Sequence, residues 1–177
     1  MNNQKIQLCI NEIQDFHWKI SSRGPVLAGS ENLGLTKFKI KELPPDYLDF
    51  LNSFGEFHNL EDTAWFLMYE DYLGTSESSF AWNEFEKQSL EAALDQEDEE
   101  RVKEFWGKHL PIFISVKDGY SFIALSLLEG QAGAVVVGRE PEYEETSVIC
   151  DDLEGFFLML SKHVRGDEIN SMLGNMV

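Results

Sequence analysis

The sequence predicts an α+β fold, a central and mainly antiparallel sheet packed by helices. Three observations carry this. Asp118-Gly119 stands between two apolar, strand-like runs, which is a strong local signal for an antiparallel hairpin. Segments with apolar residues at helical spacing lie on either side of that hairpin. Hydrophobic residues make up 43% of 177 residues, enough for one core. A domain of this length buries roughly 70% of its unfolded surface.

Taken in order, residues 1–20 read as a helix, with Ile6, Ile10, Ile13 and Phe16 at helical spacing. Ser21-Ser22-Arg23-Gly24-Pro25 would end it. Thr36-Lys37-Phe38-Lys39-Ile40 alternates and suggests a short exposed strand. Pro44-Pro45 then opens a second helix, because proline's missing N–H is unpaired in a first turn anyway. Asp46 and Asp49 favour its positive end. Tyr47, Leu48, Leu51 and Phe54 form one stripe, and Gly55 is a natural stop.

The run 64–69, Ala-Trp-Phe-Leu-Met-Tyr, reads as a strand. Two acidic helices are expected at 81–94 and 97–107, with Phe85, Leu90 and Leu94, then Val102, Phe105 and Trp106, on their buried sides. Residues 110–116 and 120–127 are the hairpin strands, and 134–137 a third strand. Asp151 or Asp152 caps a closing helix beginning near Leu153. Residues 166–177 read as a weakly ordered tail. The expected core includes Tyr47, Leu51, Phe113, Phe122, Val136, Phe157 and Leu160. No composition shift or linker divides the chain, so 1–177 is expected to be one domain.

Charge narrows function. Against 14 Lys+Arg stand 32 Asp+Glu, a formal net of −18. Such a surface repels nucleic-acid phosphates and anionic lipid heads, and it attracts basic proteins. Between Glu42 and Glu86 inclusive there are 11 acids and no Lys or Arg. The aromatic cluster Trp65, Phe66, Tyr69 and Tyr72 therefore lacks the cations of a nucleic-acid platform and reads as core. No run approaches the roughly 18 apolar residues of a membrane span. Two distant cysteines, Cys9 and Cys150, and a polar N-terminus suggest a cytoplasmic protein with reduced thiols.

Catalytic and metal motifs are missing. His17, His58, His109 and His163 are scattered, with no H-x-x-x-H or C-x-x-C spacing. Residues 95–100 are acidic but lack the glycine of a calcium loop. There is no G-x-S-x-G and no phosphate-cradling glycine loop. Cys150 beside Asp151 is a poor nucleophile, since a carboxylate raises thiol pKa. Glu144-Glu145 and Asp151-Asp152 are adjacent in sequence, which is no indication of a pair facing across a cleft. No enzyme activity, cofactor or metal is expected.

Several stretches together resemble the SUKH superfamily. Leu43-Pro44-Pro45-Asp46-Tyr47-Leu48-Asp49-Phe50-Leu51 looks like its opening signature. Leu110-Pro111-Ile112-Phe113-Ile114, Asp118-Gly119-Tyr120, Gly133-Ala134-Val135-Val136 and Leu153-Glu154-Gly155-Phe156-Phe157-Leu158 follow in family order. The likeness covers about residues 40–163. It departs at Ser53-Phe54-Gly55-Glu56, where an Asn-Gly pair is frequent, and at Ala124-Leu125-Ser126, where Leu-Asp is frequent. The resemblance implies an antiparallel sheet with helices and no general catalytic motif. It also implies a protein-binding role, either as an immunity protein neutralising a toxin domain such as a nuclease or as a regulatory adaptor.

Two acidic runs are the expected partner surface. Residues 84–104 hold nine acids and three bases, and 140–154 hold seven acids and no base. The expected contact residues are Glu97, Asp98, Glu99, Glu100, Glu142, Glu144, Glu145 and Asp151, with Tyr143 as an anchor inside the second run. The plain alternative for both runs is a solvated, solubilising face.

Overall fold

The structure, a computed structural model, describes residues 3–24, 43–76 and 80–177. Its elements run α1 (Gln4–Gln14), β1 (Trp18–Ser22), α2 (Pro45–Ser53), β2 (Phe54–Asn59), β3 (Ala64–Phe66), α3 (Tyr69–Leu73), α4 (Glu84–Ala92), α5 (Gln96–Trp106), β4 (His109–Ser115), β5 (Ser121–Ser126), β6 (Val135–Arg139), β7 (Ser147–Cys150) and α6 (Leu153–Arg165). The strands make one sheet in sequence order, every neighbour antiparallel. This is the α+β architecture that the sequence predicts.

Alternation along the strands separates two faces. Phe66 pairs with Phe113, and Phe113 with Ile123. On that face Phe50 of α2 and Phe156 and Phe157 of α6 meet Phe57 and Phe66, with the Phe66–Phe157 rings stacked at 5.3 Å. Helix α1 packs alongside α6. On the opposite face, Trp65 pairs with Ile114, Ile114 with Phe122, and Phe122 with Gly138. There Phe85 of α4 and Trp106 of α5 close over Phe122 at 5.4 and 4.9 Å. Gly138 is dictated by this packing: a Cβ would lie 2.5 Å from the Phe122 ring and 2.8 Å from the Tyr143 carbonyl. All seven residues of the expected core are buried.

The hairpin turns at Lys117-Asp118-Gly119 as expected, and Gly119 takes the left-handed φ of 77°. Asp152 caps α6, its Oδ1 accepting from the Gly155 N–H at 2.8 Å. Other expectations are corrected. The first helix stops at Gln14, and Trp18–Ser22 is a strand. His17 adopts φ 62°, which reverses the chain, and β1 then pairs with β2. Phe16 falls off the buried stripe and is 40% exposed. The second helix ends at Ser53 because Phe54 is already extended; Gly55 lies inside β2 and is no helix stop. The 64–69 strand is shorter, since Tyr69 starts α3. Leu94 lies beyond α4 and is 90% exposed. The strand expected around Lys37, Lys39 and Lys41 lies outside the described residues.

The tail also departs from expectation. Leu173 and Met176 are buried in the core, and the Ser115 hydroxyl donates to the Met176 carbonyl at 2.7 Å. Two apolar side chains reaching the sheet anchor a segment whose polar composition reads as loose.

Candidate partner-binding surfaces

The first acidic run sits on the opening turns of α5. Asp95 caps the helix by accepting from the Asp98 N–H at 3.0 Å, which places Glu97, Asp98 and Glu99 at the positive end of the helix dipole. Glu97, Glu99 and Glu100 are exposed. Much of the charge is compensated locally. Asp98 pairs with Arg101, Glu99 with Lys103 at 2.8 Å, and Glu100 accepts from Gln96 at 3.1 Å. Exposed helix pairs of this kind contribute little to stability but mute the field seen by a partner.

The second run is divided by β7. Glu142, Glu144 and Glu145 precede the strand and Asp151 follows it. At strand rise, six residues separate Glu145 from Asp151 by about 20 Å. The run is therefore two patches at opposite ends of an edge strand. Glu142, Glu145 and Asp151 are exposed, and among the described residues no Lys or Arg pairs with them.

Two members of this run have structural roles. Tyr143 is only 5% exposed; its ring lies 4.8 Å from Phe85 and its hydroxyl donates to Gln88 Oε1 at 2.9 Å. Burial, with Glu140 adding to it, pushes its phenol up to about 12. The expected anchor is thus a core residue bridging the β6–β7 loop to α4. Glu144 accepts a 2.9 Å hydrogen bond from the buried Trp106 indole N–H. Helix α5 links the runs through this bond, but its first turn lies about 12 Å along the axis from Trp106.

A further concavity was not apparent from the sequence. Helices α4 and α5 lie over β4–β6, and beside them the same face forms a groove of about 940 Å³ over β1–β3. Trp65, Phe80 and Tyr120 line it as a chain of rings, 6.1 and 5.5 Å apart. Glu56, Asp62, Glu70 and Asp71 contribute four carboxyl groups. Among the described residues, Arg23 is held by Glu70 Oε1 at 2.8 Å over the Tyr69 ring, Lys19 holds Glu56 at 2.6 Å, and the His58 ring lies 3.1 Å from Glu56. Trp65 Nε1 and Glu70 Oε2 are buried and have no hydrogen-bond partner. An unpaired buried group costs about 1–3 kcal/mol, so each leaves a hydrogen-bonding capacity unmet among the groove's lining residues. The sequence reads Trp65, Phe66, Tyr69 and Tyr72 together as core because no Lys or Arg occurs from 43 to 85; Phe66, Tyr69 and Tyr72 are buried, whereas Trp65 is half-buried and lines the groove.

Elsewhere the titratable groups are structural. His109 stacks on Phe105 at 4.1 Å, its Nδ1 lies 2.9 Å from the Phe105 carbonyl, and burial lowers its pKa. The Tyr47 and Tyr72 hydroxyls bond to each other in the core, and Tyr72 donates onward to the Pro111 carbonyl at 2.6 Å. Cys150, half-buried at the end of β7, has its thiol pushed up to about 11 by burial and by Asp152 and Asp151. Among the described residues no three His, Cys, Asp or Glu converge as a metal-holding group, and no helix is long and apolar enough to cross a membrane.

The SMI1 / KNR4 family (SUKH-1) model matches residues 36–159, well over half of the chain. The chain belongs to this family. The match takes in α2 through most of α6, and so all seven core residues except Leu160, the groove's Trp65, Phe80 and Tyr120, and both acidic runs. Helix α1, β1 and the docked C-terminal segment lie outside the matched SUKH-1 span. No curated protein matches the chain.

Proposed function

We propose that this SUKH-1 protein acts in the cytoplasm by stoichiometric, non-catalytic binding of a basic protein, and that the partner is a toxin domain, with a nuclease the best fit. The observation that carries this is the β7 edge, where Glu142, Glu145 and Asp151 are exposed without a cationic partner among the described residues. A nuclease domain carries a basic phosphate-binding groove. A protein with a net charge of −18 is drawn to that groove and blocks it or clamps it from outside. Glu97 and Glu100 extend the field, while Asp98 and Glu99 are largely spent on Arg101 and Lys103. Tyr143 and Glu144 support the loop from below.

The family resemblance favours a second reading, a regulatory adaptor for a non-toxin cellular protein. Gene context separates the two, since a toxin gene directly upstream accompanies an immunity role. The decisive experiment is co-expression with the product of the neighbouring gene, followed by measurement of complex formation and association rate against salt. We expect a stable complex, toxin neutralisation, and association slowed about tenfold or more at low salt by Glu142→Lys with Glu145→Lys, with a flatter salt dependence. Unchanged association in that folded variant would remove the β7 edge as the interface; a complex without neutralisation would favour the adaptor.

A further inference from the structure

We propose that the groove over β1–β3 is a second binding site, which takes an extended basic segment of a protein partner and seats an Arg or Lys side chain against Trp65 and Glu70. It lies at the other end of the sheet from β7 and does not depend on the toxin reading.

Four observations converge. Among the described residues, α4 and α5 close over Phe122 of β5 and not over β1–β3, where α3 borders the face through Glu70 and Asp71. The resulting volume of about 940 Å³ suits several residues of chain rather than a single ion. The lining is aromatic and acidic: Trp65, Phe80 and Tyr120 offer ring surface, and among the described residues four carboxyl groups line the groove against one guanidinium, Arg23. Arg23 is already engaged by Glu70 and the Leu51 carbonyl, and Glu56 is taken by Lys19 and the His58 ring, so Asp62 and the second oxygen of Glu70 carry the groove's unmet negative charge.

The fourth observation sets the chemistry. Glu70 Oε2 is a buried acceptor without a donor, and Trp65 Nε1 is a buried donor without an acceptor. A guanidinium or ammonium supplies the donor to Glu70 and gains from the aromatic faces. A main-chain carbonyl of the same segment supplies the acceptor for Trp65. A basic peptide carries both groups; an acidic peptide, a nucleic acid or a lipid head brings phosphate or carboxylate into a site that already holds four carboxyl groups. Local adjustment of the Trp65 and Glu70 side chains completes the contacts, as is common at interfaces.

The test uses the full chain and two blocked pentapeptides, Ala-Arg-Phe-Arg-Ala and Ala-Glu-Phe-Glu-Ala. Amide and indole N–H signals are followed during titration, with the Trp65 indole assigned by its loss in Trp65→Phe. The expected result is a saturable shift of the Trp65 indole and of Gly55 and Val116 with the basic peptide at concentrations of about 1 mM or less, and none with the acidic one. Asp62→Asn, which keeps a residue tolerant of φ 55°, and Tyr120→Ala at the exposed rim should each weaken binding by about threefold or more. Asp151→Lys should change it by less than about twofold, because Asp151 follows β7, at the far end of the sheet from β1–β3 and away from the β6–β7 loop that touches Tyr120. The proposal is overturned by equal response to both peptides, by shifts confined to the β7 end, or by a charge-reversal variant that loses binding as the groove variants do. Concentration-dependent shifts of the same signals without peptide would make a second copy the occupant and would equally overturn it.

Discussion

Glu144 stands in an acidic surface run yet accepts from an indole N–H in the core, and its replacement tests whether the run is partly structural. Trp106 is only 2% exposed, and Glu144 Oε1 lies 2.9 Å from its Nε1. Glu144→Ala removes the acceptor and leaves the donor buried. A hydrogen bond to a charged group contributes about 1.5–3 kcal/mol, and an unmet buried donor costs about 1–3 kcal/mol. Because Glu144 is only half-buried, water can enter as a substitute, which brings the expected loss to about 1–2 kcal/mol. With a urea m-value of about 2 kcal/mol/M, the unfolding midpoint should fall by about 0.5–1 M. Glu144→Gln, whose amide oxygen still accepts, should recover more than half of the loss. In a Trp106→Phe background the Glu144→Ala change should cost less than about 0.3 kcal/mol, since no donor remains. An unchanged midpoint in Glu144→Ala, or an equal loss in both backgrounds, would refute the reasoning. It follows that interface tests should reverse Glu142 and Glu145 and leave Glu144 alone.

Phe157 is fully buried and rings with Phe50, Phe66 and Phe156 at 5.3–5.9 Å, so Phe157→Ala should destabilise by about 3–5 kcal/mol and Leu51→Ala by about 2–5 kcal/mol in urea unfolding. Losses below about 0.5 kcal/mol at both would contradict their burial. Leu173→Ala should cost about 2–4 kcal/mol by the same assay, because its side chain is fully buried; a neutral effect would show that the C-terminal segment does not dock. Cys150, with its pKa raised to about 11, is far less ionised at pH 8 than an ordinary thiol, and peptide-resolved alkylation by iodoacetamide should run about 100-fold slower than in the unfolded chain. Asp151→Asn should speed it modestly, and labelling at the unfolded rate would show that neither burial nor the carboxylates act on the thiol.

The sequence by itself determined the local and periodic features. The β4–β5 hairpin follows from Asp118-Gly119, since a tight turn and its flanking apolar runs are contiguous. The starts of α2 and α6 follow from Pro44-Pro45 and Asp152, because capping is a local matter. The seven core positions follow from apolar spacing. Tertiary structure decided what depends on distant partners. Trp18–Ser22 continues an apolar pattern that suits a helix, and only pairing with β2 makes it a strand. Strand β7 is four residues long with two exposed, too short to signal itself without β6 beside it. Tyr143 and Glu144 belong to an acidic loop by composition, yet Phe85, Gln88 and Trp106, 38–58 residues earlier, draw them inward. The groove exists only because α4 and α5 settle over β4–β6 and leave β1–β3 beside them. Periodicity says which side of an element is apolar; which neighbour covers it is set by packing across the whole chain.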